Sequence, residues 1–271
     1  MANTVLITGA SSGIGKATAL YFHQKGWKVV ATMRTPEKEE ELTALDHVLV
    51  EKLDVTDVDS INSAVNAGIK AFGRVDALVN NAGYGAYGPL EAFPRENIVR
   101  QFNTNVIGLL DVTRAILPHF RKQKSGTVVN ISSVGGKMTF PLGALYHGTK
   151  FAVEGISEAL NYELERIGCK VKIVEPGAIA TDFGGRSFDF QNDETIAEYQ
   201  EIIGQLMKSF ETVFSSPSEP IVVARVIYEA VTDGSNRLRY AAGEDAVELL
   251  DSRKKLDDES FIGGIKAQFG L

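Results

Sequence analysis

The chain has little of what marks secreted, membrane or redox-active proteins. Its single cysteine, Cys169, cannot form an internal disulfide, and its place at the start of the apolar run CKVKIV favours a structural thiol. No apolar run reaches the length of a membrane span, and the N-terminus has neither a basic region nor a small-residue cleavage site. We therefore expect a cytoplasmic protein without a membrane partner.

An excess of basic residues is also absent. The 271 residues include 28 lysines and arginines against 35 aspartates and glutamates, which gives a net charge of −7. Nucleic acid is not expected as a partner, because no positive field would hold its phosphates. No metal site is expected either.

What the chain does have is an alternation of short β-branched runs with longer helical patterns. The runs are TVLIT, KVVAT, HVLVEKL, DALVN, GTVVNIS and CKVKIVEP. Such an alternation predicts βαβ units and therefore an α/β protein, with a Rossmann-type, doubly wound parallel sheet in three α/β/α layers. We expect one domain over residues 1–271.

Three segments depart from this alternation. The stretch at about 182–217 contains a glycine pair and several aromatic residues and is long for a loop, so it is predicted to cover the substrate site. The tail from about residue 251 has weak periodicity and is either a packed tail or a dimer contact. Earlier in the chain, PEKEEEL begins at Pro36 and is predicted to be a solvated first helical turn.

The glycine-rich stretch TGASSGIG, at 8–15, lies between the first predicted strand and the amphipathic segment KATALYFHQKG. A strand, turn and helix of this kind bind a diphosphate through main-chain N–H groups and the helix N-terminus. The first glycine gap is one residue wider than in the usual dinucleotide fingerprint, and a plain tight turn is the alternative. The residues predicted to bind the cofactor here are Gly9, Ser11, Ser12, Gly13, Ile14 and Gly15.

The end of the second predicted strand indicates which dinucleotide is bound. It reads Thr32-Met33-Arg34 and offers no carboxylate for the ribose hydroxyls of NAD. Arg34 can instead bind a 2′-phosphate, with Ser11 as a further donor. We therefore predict NADP(H) over NAD(H), and the alternative is that Arg34 is only a solvated charge.

Two reactive side chains share a buried helix face. Tyr146 and Lys150 stand four residues apart in ALYHGTKFAVEGISEALNYEL, on the apolar stripe that includes Val153, Ile156 and Leu160. A phenol and an ammonium that point inward are costly unless they meet partners or a ligand. The pair is therefore a candidate reaction centre.

A polar residue also interrupts a second apolar stripe. In ENIVRQFNTNVIGLLDVTRAIL, Asn105 lies within a stripe that includes Phe102, Leu109, Val112 and Ile116. A buried amide needs hydrogen-bond partners. Asn105 is therefore tied to neighbouring backbone, belongs to a reaction centre, or does both.

These features occur together in one known family. The chain carries TGASSGIG at 8–15, LDV at 53–55, NNAG at 80–83, Asn105, ISS ending at Ser133, YHGTK at 146–150 and PGAIAT at 176–181. From Thr4 to about Thr181 it resembles one-domain members of the short-chain dehydrogenase/reductase family. The resemblance implies hydride transfer between a nicotinamide and a ketone or secondary alcohol.

The resemblance also implies a role for each candidate catalytic residue. Tyr146 would be the general acid or base, and Lys150 would lower its pKa from the ordinary value of about 10 and hold the nicotinamide ribose. Ser133 would bind the substrate oxygen. Asn105 would anchor a water that relays protons to Lys150.

Further cofactor contacts follow from the same resemblance. They are Asp54 and Val55 at the adenine, Asn80, Ala82 and Gly83 along the cofactor, and Pro176, Gly177, Ile179 and Thr181 in the segment at the nicotinamide. Plain turn formation by Asn80 and Asn81, and a helix N-cap at Asp54, are the alternatives.

The chain departs from the family pattern near the tyrosine and at its C-terminal end. Gly148 and Thr149 stand where the family often has a small residue and a serine, and His147 is expected in the pocket wall or at the surface. The stretch NRLRYAAGEDAVELL resembles relatives of the hydroxysteroid and retinol dehydrogenase type, which are often dimers. A homodimer is therefore expected over a tetramer.

Aromatic residues indicate the kind of substrate. Those of the predicted cover are Phe183, Phe188, Phe190, Tyr199, Phe210 and Phe214, and the loop AGYGAYGPL adds Tyr84 and Tyr87. Unless they pack mainly on one another, they predict a pocket for a bulky ketone or alcohol, with Ser133, Tyr84, His147 and Phe183 at the substrate.

Two other functions compete with a ketone reductase. A catalytically silent NADP(H)-sensing regulator would be expected to lose the Tyr–Lys pair or the serine, and all three residues are present. A sugar epimerase or dehydratase of related fold would typically be longer and have a different glycine spacing.

Overall fold

A computed structural model describes residues 2–181, 187–213 and 216–271 of the chain. Its centre is a seven-stranded parallel sheet with the strand order β3-β2-β1-β4-β6-β7-β9. These strands are Thr4–Thr8 (β1), Lys28–Met33 (β2), Val48–Lys52 (β3), Ala77–Asn80 (β4), Gly126–Ile131 (β6), Cys169–Pro176 (β7) and Arg239–Ala242 (β9). The first six match the predicted runs, and the α/β fold class is confirmed.

Helices cover both faces of the sheet. They are Gly13–Gln24 (α1), Val58–Phe72 (α2), Arg95–Phe102 (α3), Gly108–Gln123 (α4), Ala144–Glu165 (α5), Gln200–Val213 (α6), Pro220–Thr232 (α7), Glu244–Lys255 (α8) and Asp258–Gln268 (α9). In β1, Val5 and Ile7 pack with Phe22 of α1, whereas Leu6 packs on the other face with Ile116 of α4. The strand is apolar throughout because successive side chains enter two separate cores.

The strand order creates a crevice beside β1. This strand pairs with β2 on one side and with β4 on the other. The strand order therefore reverses at β1: the chain first adds strands on one side of it and then on the other. In open parallel sheets, ligands bind outside the carboxyl ends of the strands at such a switch point. The glycine-rich stretch follows β1 and therefore lies at this crevice.

The prediction that Phe102 belongs to the buried stripe around Asn105 is wrong. A π-helical turn over Asn103–Ile107 joins α3 to α4, and its wider turn shifts the register of the stripe. Phe102 is consequently 38% exposed, whereas Gln101 is fully buried and donates to the carbonyl of Tyr84.

The acidic stretch after β2 is less solvated than predicted. Pro36 begins a short 3-10 turn, but Glu39 is buried and pairs with Lys16 at 3.0 Å. The same carboxylate accepts from the backbone N–H of Leu42. These contacts hold the segment against α1.

The described part of the predicted cover and the tail are both packed on the rest of the chain. Phe188–Phe190 (β8) pairs with Gly85–Tyr87 (β5) in a small parallel sheet, and α6 follows. Before and after the cover, backbone hydrogen bonds join Ser218 to Ala178 and Ala180. In the tail, Phe261 of α9 and Phe269, which follows α9, are both buried, so the tail is packed.

Candidate active site

A cavity of about 920 Å³ runs along the carboxyl ends of the central strands. The glycine-rich stretch and the ends of β2 and β4 line one part, which we call the glycine-loop part. Aromatic side chains of β5, β8, α6 and the C-terminus line the other, which we call the aromatic part. In the part of the chain that the structure describes, neither a metal-binding group of His, Cys, Asp and Glu side chains nor a helix able to cross a membrane is found.

The glycine-loop part has the form of an anion cradle. Gly9 and Gly13 have positive φ angles of 68° and 53°, and a Cβ at Gly9 would lie 3.0 Å from the Cα of Ala82. The first turn of α1 contains no acidic residue, so the helix N-terminus remains favourable for a phosphate. The residues of this stretch that line the cavity are Gly9, Ser11, Ser12, Gly13 and Ile14.

Two residues predicted to contact the cofactor do not line the cavity. A Cβ at Gly15 would lie only 2.2 Å from the Gly9 carbonyl oxygen, so this glycine is needed to pack α1 against the loop. The Asn80 amide lies within the sheet and donates to Thr113 and Asn130, each at 2.9 Å. Asn80 therefore braces the strands below the cavity.

Asn81, for which the sequence predicts only a turn, joins the two glycine-containing loops. Its amide donates to the carbonyls of Thr8 and Gly9 at 2.9 and 3.1 Å. Ala82 and Gly83, the next two residues of NNAG, line the cavity together with Asn81. The second asparagine of the motif thus fixes the shape of the cradle.

The end of β2 presents a cation to the cavity. Arg34 is exposed, lines the cavity and has no ion-pair partner among residues 2–181, 187–213 and 216–271. Asp54 and Val55 line the same region. The alternative that Asp54 caps a helix is wrong, because Asp57 caps α2 and Asp54 accepts from the backbone and hydroxyl of Thr56.

Tyr146, Ser133 and Lys150 come together where the two parts of the cavity meet. Tyr146 lies on α5 and Ser133 follows β6, and their side chains are hydrogen-bonded to each other. Lys150, one turn after Tyr146, donates to the Ile131 carbonyl at 2.9 Å. Its Nζ lies 5.8 Å from the centre of the Tyr146 ring.

Burial dominates the pKa values of this group. It raises the pKa of Tyr146 to about 12, although the hydrogen bond with Ser133 acts in the opposite direction. It also lowers the pKa of Lys150 to about 8, and Glu154 offsets part of that change. The expectation that Lys150 lowers the pKa of Tyr146 left out desolvation, which raises that pKa.

Asn105 connects two parts of the site. Its amide oxygen accepts from the Tyr84 N–H at 3.1 Å, and its amide nitrogen donates to the Tyr84 carbonyl and to the hydroxyl of Thr149. The expected tie to neighbouring backbone is therefore present. Because both amide hydrogens are used, only the second lone pair of the oxygen remains for another donor.

A loop after β7 closes the cavity from the other side. The predicted residues Pro176, Gly177, Ile179 and Thr181 all line the cavity. Asp245 in the first turn of α8 accepts from the backbone N–H of Ala178 at 2.7 Å. No local motif indicated this contact, because Asp245 is distant in sequence.

The aromatic part contains most of the predicted aromatic residues that the structure describes. Tyr84, Tyr87, Phe188 and Phe210 line it, whereas Phe190 stacks behind Phe188 and Tyr199 lies at the surface against Glu91. Phe183 and Phe214 lie outside the described residues. Sequence patterns did not indicate three further lining residues, which are Phe140, Met207 and Phe269.

His147 is part of the cavity wall, as expected. Its Nε2 accepts from the Phe140 N–H at 3.0 Å, so Nδ1 carries the proton and donates to the Gly135 carbonyl at 2.9 Å. Burial lowers the pKa of His147 to about 4, which keeps the ring neutral. With both nitrogens engaged, the imidazole offers the cavity only its carbon edge and ring faces.

Comparisons with known proteins identify the family of this chain. A family model for short chain dehydrogenases matches residues 3–192. An uncharacterized oxidoreductase of Schizosaccharomyces pombe is 46% identical over 239 residues, which cover 88% of this chain and 100% of the relative. A solved short-chain dehydrogenase from Streptomyces avermitilis is 36% identical with a TM-score of 0.84, over 94% of this chain and 92% of that one.

Solved structures also indicate the kind of cofactor. The structure of ElxO with NADP bound is 31% identical, has a TM-score of 0.76, and is matched over 92% of this chain and 100% of that one. Other matching structures contain NADP, NADH or NAD. A nicotinamide cofactor is thus common to these neighbours, and the cradle formed by the glycine-rich stretch fits its diphosphate. The chain belongs to the short-chain dehydrogenase family and is an oxidoreductase.

Proposed function

We propose that the protein reduces ketones with NADPH, or oxidises the corresponding secondary alcohols with NADP⁺. The observation that carries this proposal is the position of Tyr146, Ser133 and Lys150 at the junction of the glycine-loop part and the aromatic part. A carbonyl group held at this junction would lie between a hydroxyl that can donate a proton and a site that fits a dinucleotide.

Three side chains divide the acid–base work. Tyr146 donates the proton to the carbonyl oxygen, and its raised pKa of about 12 keeps it protonated at neutral pH. Ser133 holds the substrate oxygen beside the phenol. Lys150 places a positive charge that stabilises the phenolate formed when the proton leaves. When bound, the nicotinamide supplies the hydride to the carbonyl carbon.

Asn105 has a positioning role in this proposal. It holds the Tyr84 loop against Thr149, which lies between Tyr146 and Lys150 on α5. The remaining lone pair of its amide oxygen is available to a water that exchanges protons with Lys150.

The preference for NADP(H) rests on Arg34. Its guanidinium lies at the adenosine end of the cavity without an ion-pair partner in the described part of the chain. A 2′-phosphate would give this cation a charge-assisted, bidentate partner, whereas NAD(H) would not.

The substrate is proposed to be a bulky, hydrophobic ketone. The aromatic part is walled by Tyr87, Phe140, Phe188, Phe210 and Phe269. Pockets lined in this way bind apolar ligands and use a few polar groups to orient them.

A panel of ketones and alcohols, assayed by absorbance with both coenzymes, tests the proposed function. We expect NADPH to be consumed faster than NADH, with kcat/KM rising as aryl or alkyl bulk is added to the ketone. NADPH binding without turnover of any ketone or alcohol would instead favour the NADP(H)-sensing regulator.

A further inference from the structure

Tyr87 is a buried phenol that has no part in the reduction described above. It is 4% exposed and lines the aromatic part of the cavity. Its strand, β5, pairs with β8, and its carbonyl accepts from the N–H of Gln191 at 3.0 Å. Four rings surround its own at 5.5–5.9 Å between centroids, those of Tyr146, His147, Phe188 and Phe210. The phenol is therefore held in one place.

The Tyr87 hydroxyl has no hydrogen-bond partner among residues 2–181, 187–213 and 216–271. Its oxygen is nevertheless not one of the fully buried, unpaired side-chain atoms in that part of the chain. Because Tyr87 lines the aromatic part of the cavity, a ligand held there can reach this hydroxyl.

Packing alone does not explain this hydroxyl. Phe188 and Phe210 stand in the same wall, so aromatic packing there does not need a polar group. A hydroxyl that is removed from bulk water and left unpaired destabilises the folded protein. A phenylalanine would fill the same space without that penalty, which indicates that the hydroxyl is there for a ligand.

The Tyr87 hydroxyl lies near Tyr146, the proposed proton donor. The rings of Tyr87 and Tyr146 are 5.6 Å apart and inclined by 33°. Burial raises the pKa of Tyr87 well above its ordinary value, and Tyr146 raises it further. The phenol is therefore a hydrogen-bond donor at neutral pH.

We infer that Tyr87 is a specificity-determining residue, whose hydroxyl donates to a second oxygen of the substrate, one or two carbons from the reacting carbonyl. The substrate class is then an oxygenated ketone, such as a β-keto ester, with apolar groups at its ends. This inference rests on the proposed function of the same site.

Two probes of equal length separate this class from plain ketones. Ethyl benzoylacetate carries an ester beside its reacting ketone, and hexanophenone has methylene groups in the same places. We expect the wild type to favour the keto ester, and the ratio of the two kcat/KM values to fall at least about tenfold in Tyr87→Phe. Tyr21→Phe, which removes a phenol outside the cavity, should leave the ratio unchanged. An unchanged ratio in Tyr87→Phe overturns the inference.

A binding measurement separates this inference from the proposed function. In the Tyr146→Phe background with NADPH bound, we expect the further change Tyr87→Phe to weaken binding of ethyl benzoylacetate, measured by calorimetry. Equal dissociation constants with and without Tyr87 overturn the specificity role alone. A wild type that binds the keto ester through Tyr87 but reduces neither probe overturns the proposed function alone.

Discussion

At the residue scale, burial decides what the candidate catalytic groups can do. Tyr146 keeps its proton because desolvation raises its pKa to about 12, and that is the state needed to reduce a ketone. Lys150 loses its proton, and with it its positive charge, at a much lower pH than Tyr146 does, because burial lowers the pKa of Lys150 to about 8. Motifs indicated both residues, but the sequence could not give these pKa values, because they depend on how deeply each group is buried.

The Lys150 value gives an expected pH profile for ketone reduction. A lowered pKa means that the ammonium is present below about pH 8 and lost above it, together with its support for the phenolate. We therefore expect kcat/KM with NADPH to fall as pH rises through about 8. A profile that stays flat up to the ordinary lysine pKa of about 10.4 would contradict this role.

Replacing Arg34 tests the coenzyme preference. In Arg34→Ala we expect kcat/KM for NADPH to fall about tenfold to a hundredfold and that for NADH to change little, because a hydrogen bond to a charged group contributes roughly 1.5–3 kcal/mol. Lys38→Ala, which removes an exposed cation outside the cavity, is the control. Unchanged efficiency with NADPH would reject a 2′-phosphate contact.

At the scale of elements, local patterns predicted what local physics determines. Short β-branched runs, apolar throughout because both faces are buried, made β1 and its neighbours recognisable, and the glycines of the first turn indicated a tight loop before α1. The π-helical turn at Asn103–Ile107 was missed, since no residue type requires it. The short strand β9 was also missed, because its four residues, RYAA, are too few for their alternating burial to stand out in the sequence.

Gly15 provides a test at this scale. A Cβ there would lie 2.2 Å from the Gly9 carbonyl, so we expect Gly15→Ala to lower the free energy of unfolding by about 1–3 kcal/mol and to weaken NADPH binding. Gly155→Ala in α5 is the matched control, because nothing lies within 4 Å of its added Cβ. In that control, thermal unfolding should show a gain of about 0.5–1 kcal/mol. Equal stability of the two variants would contradict the packing role of Gly15.

At the scale of the whole molecule, the cavity is assembled from segments that are far apart in sequence. Arg34, Tyr146 and Phe269 line one cavity, although more than a hundred residues separate each from the next. Motifs identified the first two of these residues, but Phe269 reaches the cavity only because α9 packs on the aromatic part. Contacts of this kind depend on the packed fold and leave no periodic signal.

Oligomeric state is a property of the same scale, and we propose that the protein is a homodimer. An apolar face on α3, the π-helical turn and α5 is exposed, with Val99, Ile107, Phe151 and Tyr162 each at least 42% accessible. Faces of this kind mark sites where another protein binds. We expect light scattering to give a dimeric mass for the wild type and a monomeric one for Phe151→Glu. Val247→Glu on α8 should stay dimeric, and a monomeric wild type would reject the proposal.

The most direct test of the proposed chemistry is a paired measurement on Tyr146→Phe, with Tyr21→Phe as the control. Fluorescence titration measures NADPH affinity, and steady-state assays measure ketone reduction. We expect NADPH affinity close to that of the wild type, because the glycine-loop part is untouched, and kcat lower by about 10²–10⁴. Undiminished turnover by Tyr146→Phe would show that this phenol is not the proton donor.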